Sequence, residues 1–162
     1  ILMGSKSDLS IMQFAADTLE KLNISYEINV LSAHRSPEQT QQYVKDATDR
    51  GAHVFIAAAG LAAHLAGAVA AQTLRPVIGV PLDAGTLGGL DALLSTVQMP
   101  GGMPVATTAI GKPGAINAAT LAAQILALHD NVVDQALQQA RKDKLASILA
   151  ANTELQQAEI EQ

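Results

Sequence analysis

The sequence predicts a three-layer αβα domain, an α/β fold in which helices cover both faces of one five-stranded parallel sheet. Strand-length apolar segments alternate with helix-length segments five times over residues 1–130, and this alternation is typical of parallel strands joined by crossover helices. The segments 54–57 and 77–80 are apolar without interruption, as expected for strands buried on both faces. Hydrophobic residues make up 49% of the chain and aromatic residues only 2%, so the core must consist mainly of aliphatic side chains.

Apolar periodicity gives the expected bounds of each element. In the first helix, for example, Met12, Ala16 and Leu19 recur at helical spacing. The expected strands are 1–3, 28–31, 54–57, 77–80 and 105–110. The expected helices are 8–22, 36–50, 64–74, 87–97 and 115–128.

The second helix carries sequence signals at both ends. Ser36 is expected at the N-cap, with Pro37 at the first helical position and Gln39 completing a capping box with Ser36. Gly51 follows Arg50 and is the expected stop, because glycine readily adopts the left-handed conformation that ends many helices.

The end of the chain departs from the alternation. The helix 115–128 is apolar on nearly every side, which predicts a central position. A more polar helix is expected from Asn131, where it could pack on a neighbouring subunit, and the last dozen residues are expected to be loose. We therefore predict one domain over 1–162, with an αβα core over 1–130 and a C-terminal helix and tail over 131–162.

Composition excludes several classes of function. A net charge of −5 without a basic stripe argues against a nucleic-acid partner, and the lack of cysteine excludes disulfides and thiolate zinc sites. The four histidines are scattered without metal-ligand spacing, and His53 and His129 are expected at the surface. No segment has the pattern of a signal peptide or a membrane span, so we expect a cytoplasmic protein with no membrane partner.

Polar and small residues follow the predicted strands, at the edge where open α/β sheets bind ligands. Gly4 to Asp8 follow the first strand, and two serine hydroxyls, Ser5 and Ser7, precede a helix start that offers unpaired N–H groups. This chemistry suits an anion. Taken alone, the stretch is more often a serine and aspartate helix cap, and Asp8 could equally cap the helix or bind ribose hydroxyls.

Charged and imidazole side chains follow the other strands. Arg35 would supply a forked donor for a phosphate, or else form a surface ion pair. His34 could exchange a proton near neutral pH, although an isolated histidine is more often structural. His64 follows an apolar turn and is the weaker catalytic candidate, and Lys112 could approach an anion or remain solvated.

Five motifs in this order resemble those of the PurE family. They are MGSKSD at 3–8, SAHR at 32–35, AAHL at 62–65, VQMPGG at 97–102 and AIG at 109–111. Each motif is short, but their order and separations together are specific, and the resemblance extends over 1–130. It implies a flavodoxin-like or Rossmann-like fold, assembled as a homo-octamer with active sites near the subunit contacts.

The resemblance also implies an enzyme of de novo purine biosynthesis. This mutase, an isomerase, moves the carboxylate of N5-carboxyaminoimidazole ribonucleotide to ring C4 through trapped CO2, with no metal, ATP, biotin or other cofactor. The alternatives are a direct CO2-dependent carboxylase of aminoimidazole ribonucleotide and a non-catalytic nucleotide-binding module on the same fold. A flavin-binding electron carrier is disfavoured by the scarcity of aromatic residues.

Carried over by motif, His34 would be the general acid and base. Ser5, Ser7 and Arg35 would hold the substrate phosphate, and Asp8 would meet the ribose hydroxyls. The other predicted substrate-binding residues are Ser32, Gly60, His64, which would help to hold the carboxylate, and Lys112, at the rim of the site.

The chain departs from the family pattern at four positions. Ala58, Leu61 and Ala106 stand where glycine is usual, and Ala66 stands where proline is usual. An added side chain restricts the backbone and fills space. We expect Leu61 to matter most, because it could narrow the CO2 pocket and so change efficiency rather than substrate class.

Overall fold

The computed structural model describes residues 1–160, which form five strands and six α-helices. The strands are β1 (Leu2–Met3), β2 (Asn29–Val30), β3 (Phe55–Ala59), β4 (Val77–Pro81) and β5 (Ala106–Thr107). The helices are α1 (Leu9–Lys21), α2 (Pro37–Asp49), α3 (Leu65–Ala70), α4 (Leu90–Val97), α5 (Lys112–Ala127) and α6 (Asn131–Ile160), and a 3₁₀ turn, Lys6–Asp8, precedes α1. None of the helices in this part of the chain has the length and apolar character that a membrane crossing needs.

The sheet is parallel throughout, with the strand order β2-β1-β3-β4-β5. The chain moves from β1 to one side to form β2, and then crosses back to place β3 on the other side of β1. The direction of winding therefore reverses between β1 and β3. At such a reversal the loops diverge to opposite faces and leave a crevice beyond the carboxyl ends of the strands.

Alternate side chains of the inner strands supply two separate cores. Leu2 and Phe55 pack against α2 and α3, whereas Met3, Ile56 and Ala58 pack against α1 and α5 on the other face. This division follows from the two-residue period of a strand. The prediction of a three-layer αβα fold with a five-stranded parallel sheet is confirmed.

The alanines of α5 allow this helix to lie in the interior. Ala115, Ala118, Ala119 and Ala122 are buried where α5 meets α1 and the sheet. Their small side chains let the helix backbones approach closely, and the predicted central position is confirmed. The first turn of α6 also packs on α5, through the buried Val133.

The predicted capping box of α2 is wrong. The Ser36 side chain makes no cap hydrogen bond. Its hydroxyl donates instead to the Ser32 carbonyl (3.1 Å) and accepts from the Ser32 N–H (3.0 Å), which closes the loop after β2. Serine hydroxyls commonly satisfy nearby backbone in this way. Gly51 has φ +97° and ends the helix as predicted.

Three further bounds differ from the expected ones. Helix α3 ends at Ala70 rather than at Leu74, because the chain turns into β4 with the Thr73 hydroxyl accepting from the Arg75 N–H. Helix α4 begins at Leu90 rather than at Leu87, since the two preceding glycines have positive φ. Strand β5 spans only two of the six residues expected.

Helix α6 is longer than the sequence suggested. It runs for 30 residues to Ile160, so the expectation of a loose segment is wrong over 151–160. Residues 161–162 lie outside the described residues. From Gln138 to Gln157, α6 exposes all of its side chains.

The close approach of α4 to the sheet at Gly79 gives a test of the packing. A Cβ atom at Gly79 would overlap the Thr96 side chain and lie 2.9 Å from Val105 Cγ1. We expect Gly79→Ala to lower the free energy of unfolding by about 1–3 kcal/mol through overpacking, measured by thermal and urea denaturation. Gly101→Ala is the matched control, because nothing lies within 4 Å of a Cβ there. Equal unfolding of the two variants would contradict this packing.

Candidate active site

A cleft of about 480 Å³ lies where the winding of the sheet reverses. It is bordered by the segments that follow β1, β2 and β3, and by one residue of the segment after β4. Eight of the nine site residues predicted from the sequence line it: Ser5, Ser7, Asp8, Ser32, His34, Arg35, Gly60 and His64.

The segment after β1 forms a compact loop of polar atoms. The Ser5 hydroxyl accepts from the Ser7 N–H (3.4 Å), and the Ser7 hydroxyl donates to Ser5 Oγ (3.0 Å). Asp8 Oδ2 accepts from the Ser5 N–H (3.0 Å), which completes a capping box. Both sequence interpretations therefore apply, because these residues cap the helical turn and also line the cleft.

Arg35 ties the second loop to the first. Its Nη2 donates to the Gly4 carbonyl (2.6 Å) and its Nε to the Ser32 hydroxyl (3.4 Å). The rest of the guanidinium makes no hydrogen bond within the described residues, and a guanidinium carries five N–H donors in a planar fork. It can therefore offer a bidentate face to an anion in the cleft.

Two imidazole rings meet at the border of the cleft. His34 Nε2 and His64 Nδ1 are 2.7 Å apart, and the rings pack edge to face with centroids 4.8 Å apart. One nitrogen must donate and the other accept, so the tautomer of each ring depends on the other. The pair can take up or release a proton at His34 Nδ1 or His64 Nε2 without losing the mutual hydrogen bond.

The wall of the cleft beside His64 is built from small residues in close contact. A Cβ atom at Gly60 would lie 2.5 Å from Ala84 Cβ, so only glycine fits at that position. Leu61 follows with φ +55° and also lines the cleft. Among the four departures from the family pattern, Ala58 and Ala66 are buried in the cores and Ala106 lies on β5, so only Leu61 borders the site.

Lys112 does not lie at the rim of the cleft, and that expectation is corrected. It begins α5 after the edge strand β5, two strands away from β3. Its ammonium lies 4.0 Å from the centroid of the Phe14 ring on α1, a cation–π contact. Ala84, in the segment after β4, also lines the cleft, although the sequence did not predict a site residue there. An alanine carries no chemical signal that could have revealed it.

A larger hollow, of about 840 Å³, lies at the opposite edge of the sheet and borders the exposed His53 and His129. Two of its charged groups pair with each other. Arg50 pairs with Glu27 (2.8 Å), and the Tyr43 hydroxyl also donates to Glu27 (2.7 Å). Burial and this hydrogen bond raise the pKa of Tyr43 to about 12. These contacts stabilise the fold, and they lie at the amino ends of the strands, away from the ligand edge.

Comparison with protein families matches residues 1–153 to AIR carboxylase. The chain is 50% identical to the N5-carboxyaminoimidazole ribonucleotide mutase of Bacillus subtilis (strain 168), covering 96% of each protein. It is 52% identical to the Escherichia coli (strain K12) protein of the same name, covering 92% of this chain and 88% of that one. The Pseudomonas aeruginosa mutase is also 52% identical, covering 92% of this chain and 91% of that one.

Solved structures agree with these sequence matches. The crystal structure of Treponema denticola PurE superposes with a TM-score of 0.84 at 27% identity, covering 95% of each chain. The crystal structure of a PurE2 variant from the same organism gives a TM-score of 0.85 at 26% identity, covering 95% of this chain and 94% of that one.

The loop after β1, residues 4–8 (the serine loop), and Arg35 together predict an anion site that can be tested with inorganic phosphate. We expect phosphate to bind the protein, and Arg35→Gln to weaken that binding at least fivefold through loss of charge-assisted hydrogen bonds. Isothermal titration at fixed ionic strength measures both. Arg75→Gln, at the opposite edge of the sheet, is the control and should bind as the unaltered protein does. Equal weakening by both changes would mean that phosphate senses only net charge.

Proposed function

Because this chain belongs to the AIR carboxylase family, we propose that its cleft binds N5-carboxyaminoimidazole ribonucleotide and that His34 moves protons during transfer of the carboxylate to ring C4. The chain is an enzyme of purine biosynthesis, a mutase that converts this ribonucleotide to 4-carboxy-5-aminoimidazole ribonucleotide. The observation that carries the catalytic proposal is the contact of His34 with His64 in the same cleft as the serine loop.

The substrate phosphate is held by the Ser5 and Ser7 hydroxyls and by the outer face of Arg35. Asp8 accepts from the ribose hydroxyls, which its carboxylate can do while keeping its bond to the Ser5 N–H. Ser32 positions Arg35 through the hydroxyl contact to Nε, and Gly60 lets the aminoimidazole ring approach the wall of the cleft. This orientation points the ring towards the two imidazoles.

The reaction then needs two proton transfers and no net change in charge. A proton moves from protonated His34 to N5 as the N5–carboxylate bond breaks, which leaves an amine and CO2. Ring C4 attacks the CO2 carbon to form the new carbon–carbon bond, and His34 removes the C4 proton. The proton returns to its donor, so neither metal nor cofactor is required for balance.

His64 orients His34 and helps to hold the migrating carboxylate. Their hydrogen bond fixes the His34 ring and lets His64 compensate when His34 gains or loses its proton. A fixed acid and base beside an enclosed CO2 molecule shortens the interval between cleavage and recapture, when loss of CO2 would end the reaction.

One experiment separates this mutase function from that of a direct carboxylase and from a non-catalytic binding module. Close identity to three proteins named as mutases favours the mutase. Feeding N5-carboxyaminoimidazole ribonucleotide, or aminoimidazole ribonucleotide with low bicarbonate, without metal or ATP separates the three. We expect rapid product from the first substrate alone. Product only from the second would favour the carboxylase, and product from neither would favour the binding module.

Replacing His34 tests the acid–base role. We expect His34→Asn to lower kcat by a factor of about 10²–10⁴ while leaving substrate affinity within a few-fold, because the amide keeps the shape but cannot carry the proton. Steady-state kinetics and equilibrium binding of the product measure the two effects. His53→Asn, at the opposite edge, is the control. Turnover of His34→Asn at the unaltered rate would remove His34 from the mechanism.

The same enzyme is proposed to work as a homo-octamer. Four large apolar side chains of α4 and the turn before it are about half exposed or more, namely Leu87, Leu90, Leu94 and Val97. Their helical spacing predicted a helix over 87–97, and in the structure these side chains face away from the core. The exposed length of α6 carries a second apolar row. Exposed rows of this kind support burial between subunits. We propose that residues 1–162 form one domain and that its appended helix contacts a neighbouring subunit.

We propose the cytoplasm as its place of action, because its charged substrate does not cross membranes unaided.

The apolar row of α4 gives a test of this assembly. Leu90→Asp should dissociate the oligomer, because an aspartate cannot be buried unpaired at a contact. Size-exclusion chromatography with light scattering measures the mass. Leu74→Asp is the control, since Leu74 is fully exposed in the turn before β4. An unchanged mass for Leu90→Asp would show that the α4 row is not a subunit contact.

A further inference from the structure

Leu61 has a backbone conformation that its residue type disfavours. Within residues 1–160 only Asn23 and Leu61 combine a side chain with positive φ, at 57° and 55°. Asn23 follows α1, where asparagine is a common helix end. A leucine gains no such local hydrogen bond, and its Cβ crowds the following carbonyl. Strain of this kind is usually kept where function needs it.

The energetic cost of this conformation is not offset by packing of the Leu61 side chain in a core. It is 54% exposed and belongs to none of the buried clusters of the described residues. It lines the cleft beside His64. Its Cδ2 lies 2.6 Å from the position that a Cβ of Gly85 would take, so it rests on the bare backbone of that glycine.

Gly85 belongs to the loop 83–89, which leads from β4 to α4. Ala84 of this loop lines the cleft, and Gly85, Gly88 and Gly89 all have positive φ. Leu61 therefore bridges the turn after β3 and this glycine-rich loop. Its side chain adds a large apolar group to a cleft lining that is otherwise rich in small and polar residues.

We propose that Leu61 is a residue that retains CO2 in the cleft between its release from N5 and its capture by C4. This inference rests on the proposed mutase function. CO2 is small and uncharged, so no ion pair or strong hydrogen bond can hold it. An apolar side chain that seals the gap to the 83–89 loop hinders its escape and keeps out the water that would replace it.

The test follows the carboxylate itself. Substrate with a ¹³C carboxylate is converted in unlabelled bicarbonate with carbonic anhydrase, which scrambles any CO2 that leaves the enzyme. Mass spectrometry of the product then gives the fraction of turnovers that lost the label. We expect near-complete retention by the unaltered enzyme, and at least a threefold larger label loss for Leu61→Gly and Leu61→Ala.

Asn23→Gly is the matched control, because it relieves the same backbone conformation at the opposite edge of the sheet. It should retain label as the unaltered enzyme does. Leu61→Gly should keep its oligomeric mass and should melt no lower than the unaltered enzyme, since glycine accepts positive φ without strain. Label loss together with an intact fold separates retention of CO2 from a structural role.

The outcomes distinguish this inference from the function on which it rests. Label retention by active Leu61→Gly and Leu61→Ala equal to that of the unaltered enzyme would overturn the role of Leu61 alone. A changed oligomeric mass would also overturn it, because Leu61 would then be a subunit contact. An unaltered enzyme that forms no product would overturn the mutase function and this inference together.

Discussion

The reversal of winding between β1 and β3 is the constraint on which the rest of the site depends. Strand β1 lies between β2 and β3, so three chain segments leave the same sheet edge and separate to opposite faces. The crevice between them results from the strand order of the sheet and does not depend on which side chains line it. The serine loop, the His34–Arg35 pair and the Gly60–His64 turn are simply the segments that occupy its borders.

The borders of the crevice are fixed to one another by a few short contacts. Arg35 bonds to the Gly4 carbonyl and so joins the loops after β2 and β1, while His34 bonds to His64 and joins the loops after β2 and β3. The loop after β2 is therefore held from both sides. Residues that bind or react must keep their geometry before substrate arrives, and these contacts hold the three loops in position at the ends of strands that are buried in the two cores.

Much of this could be predicted from the sequence, because parallel strands bring their carboxyl ends to one edge. The period of apolar residues located the strands, and Ser5, Asp8, His34 and Arg35 followed directly from their ends. The contact between His34 and His64 could not be read this way, since their strands are not neighbours. The predicted position of Lys112 was wrong for a related reason. The preceding strand, β5, ends at the same edge of the sheet, but it lies too far from the reversal of winding between β1 and β3.

Helical spacing also limits what can be predicted from the sequence. It marked Leu90 and Leu94 correctly as one face of a helix, but spacing alone cannot say whether that face meets the chain's own core or another surface. The local hydrogen bonds of Ser36 were equally hidden, because a serine at a helix start has several backbone partners within reach. These failures concern partners that periodicity does not encode, while the identity and order of the elements were recovered.

The central claim is that the cleft at the reversal of winding is the active site, and a crystal structure with the product bound tests it most directly. We predict the phosphate within hydrogen-bond distance of Ser5, Ser7 and Arg35, with the carboxylated ring beside His34 and His64. A product molecule bound instead in the hollow at the amino ends of the strands, against Arg75 and His53, would contradict the account.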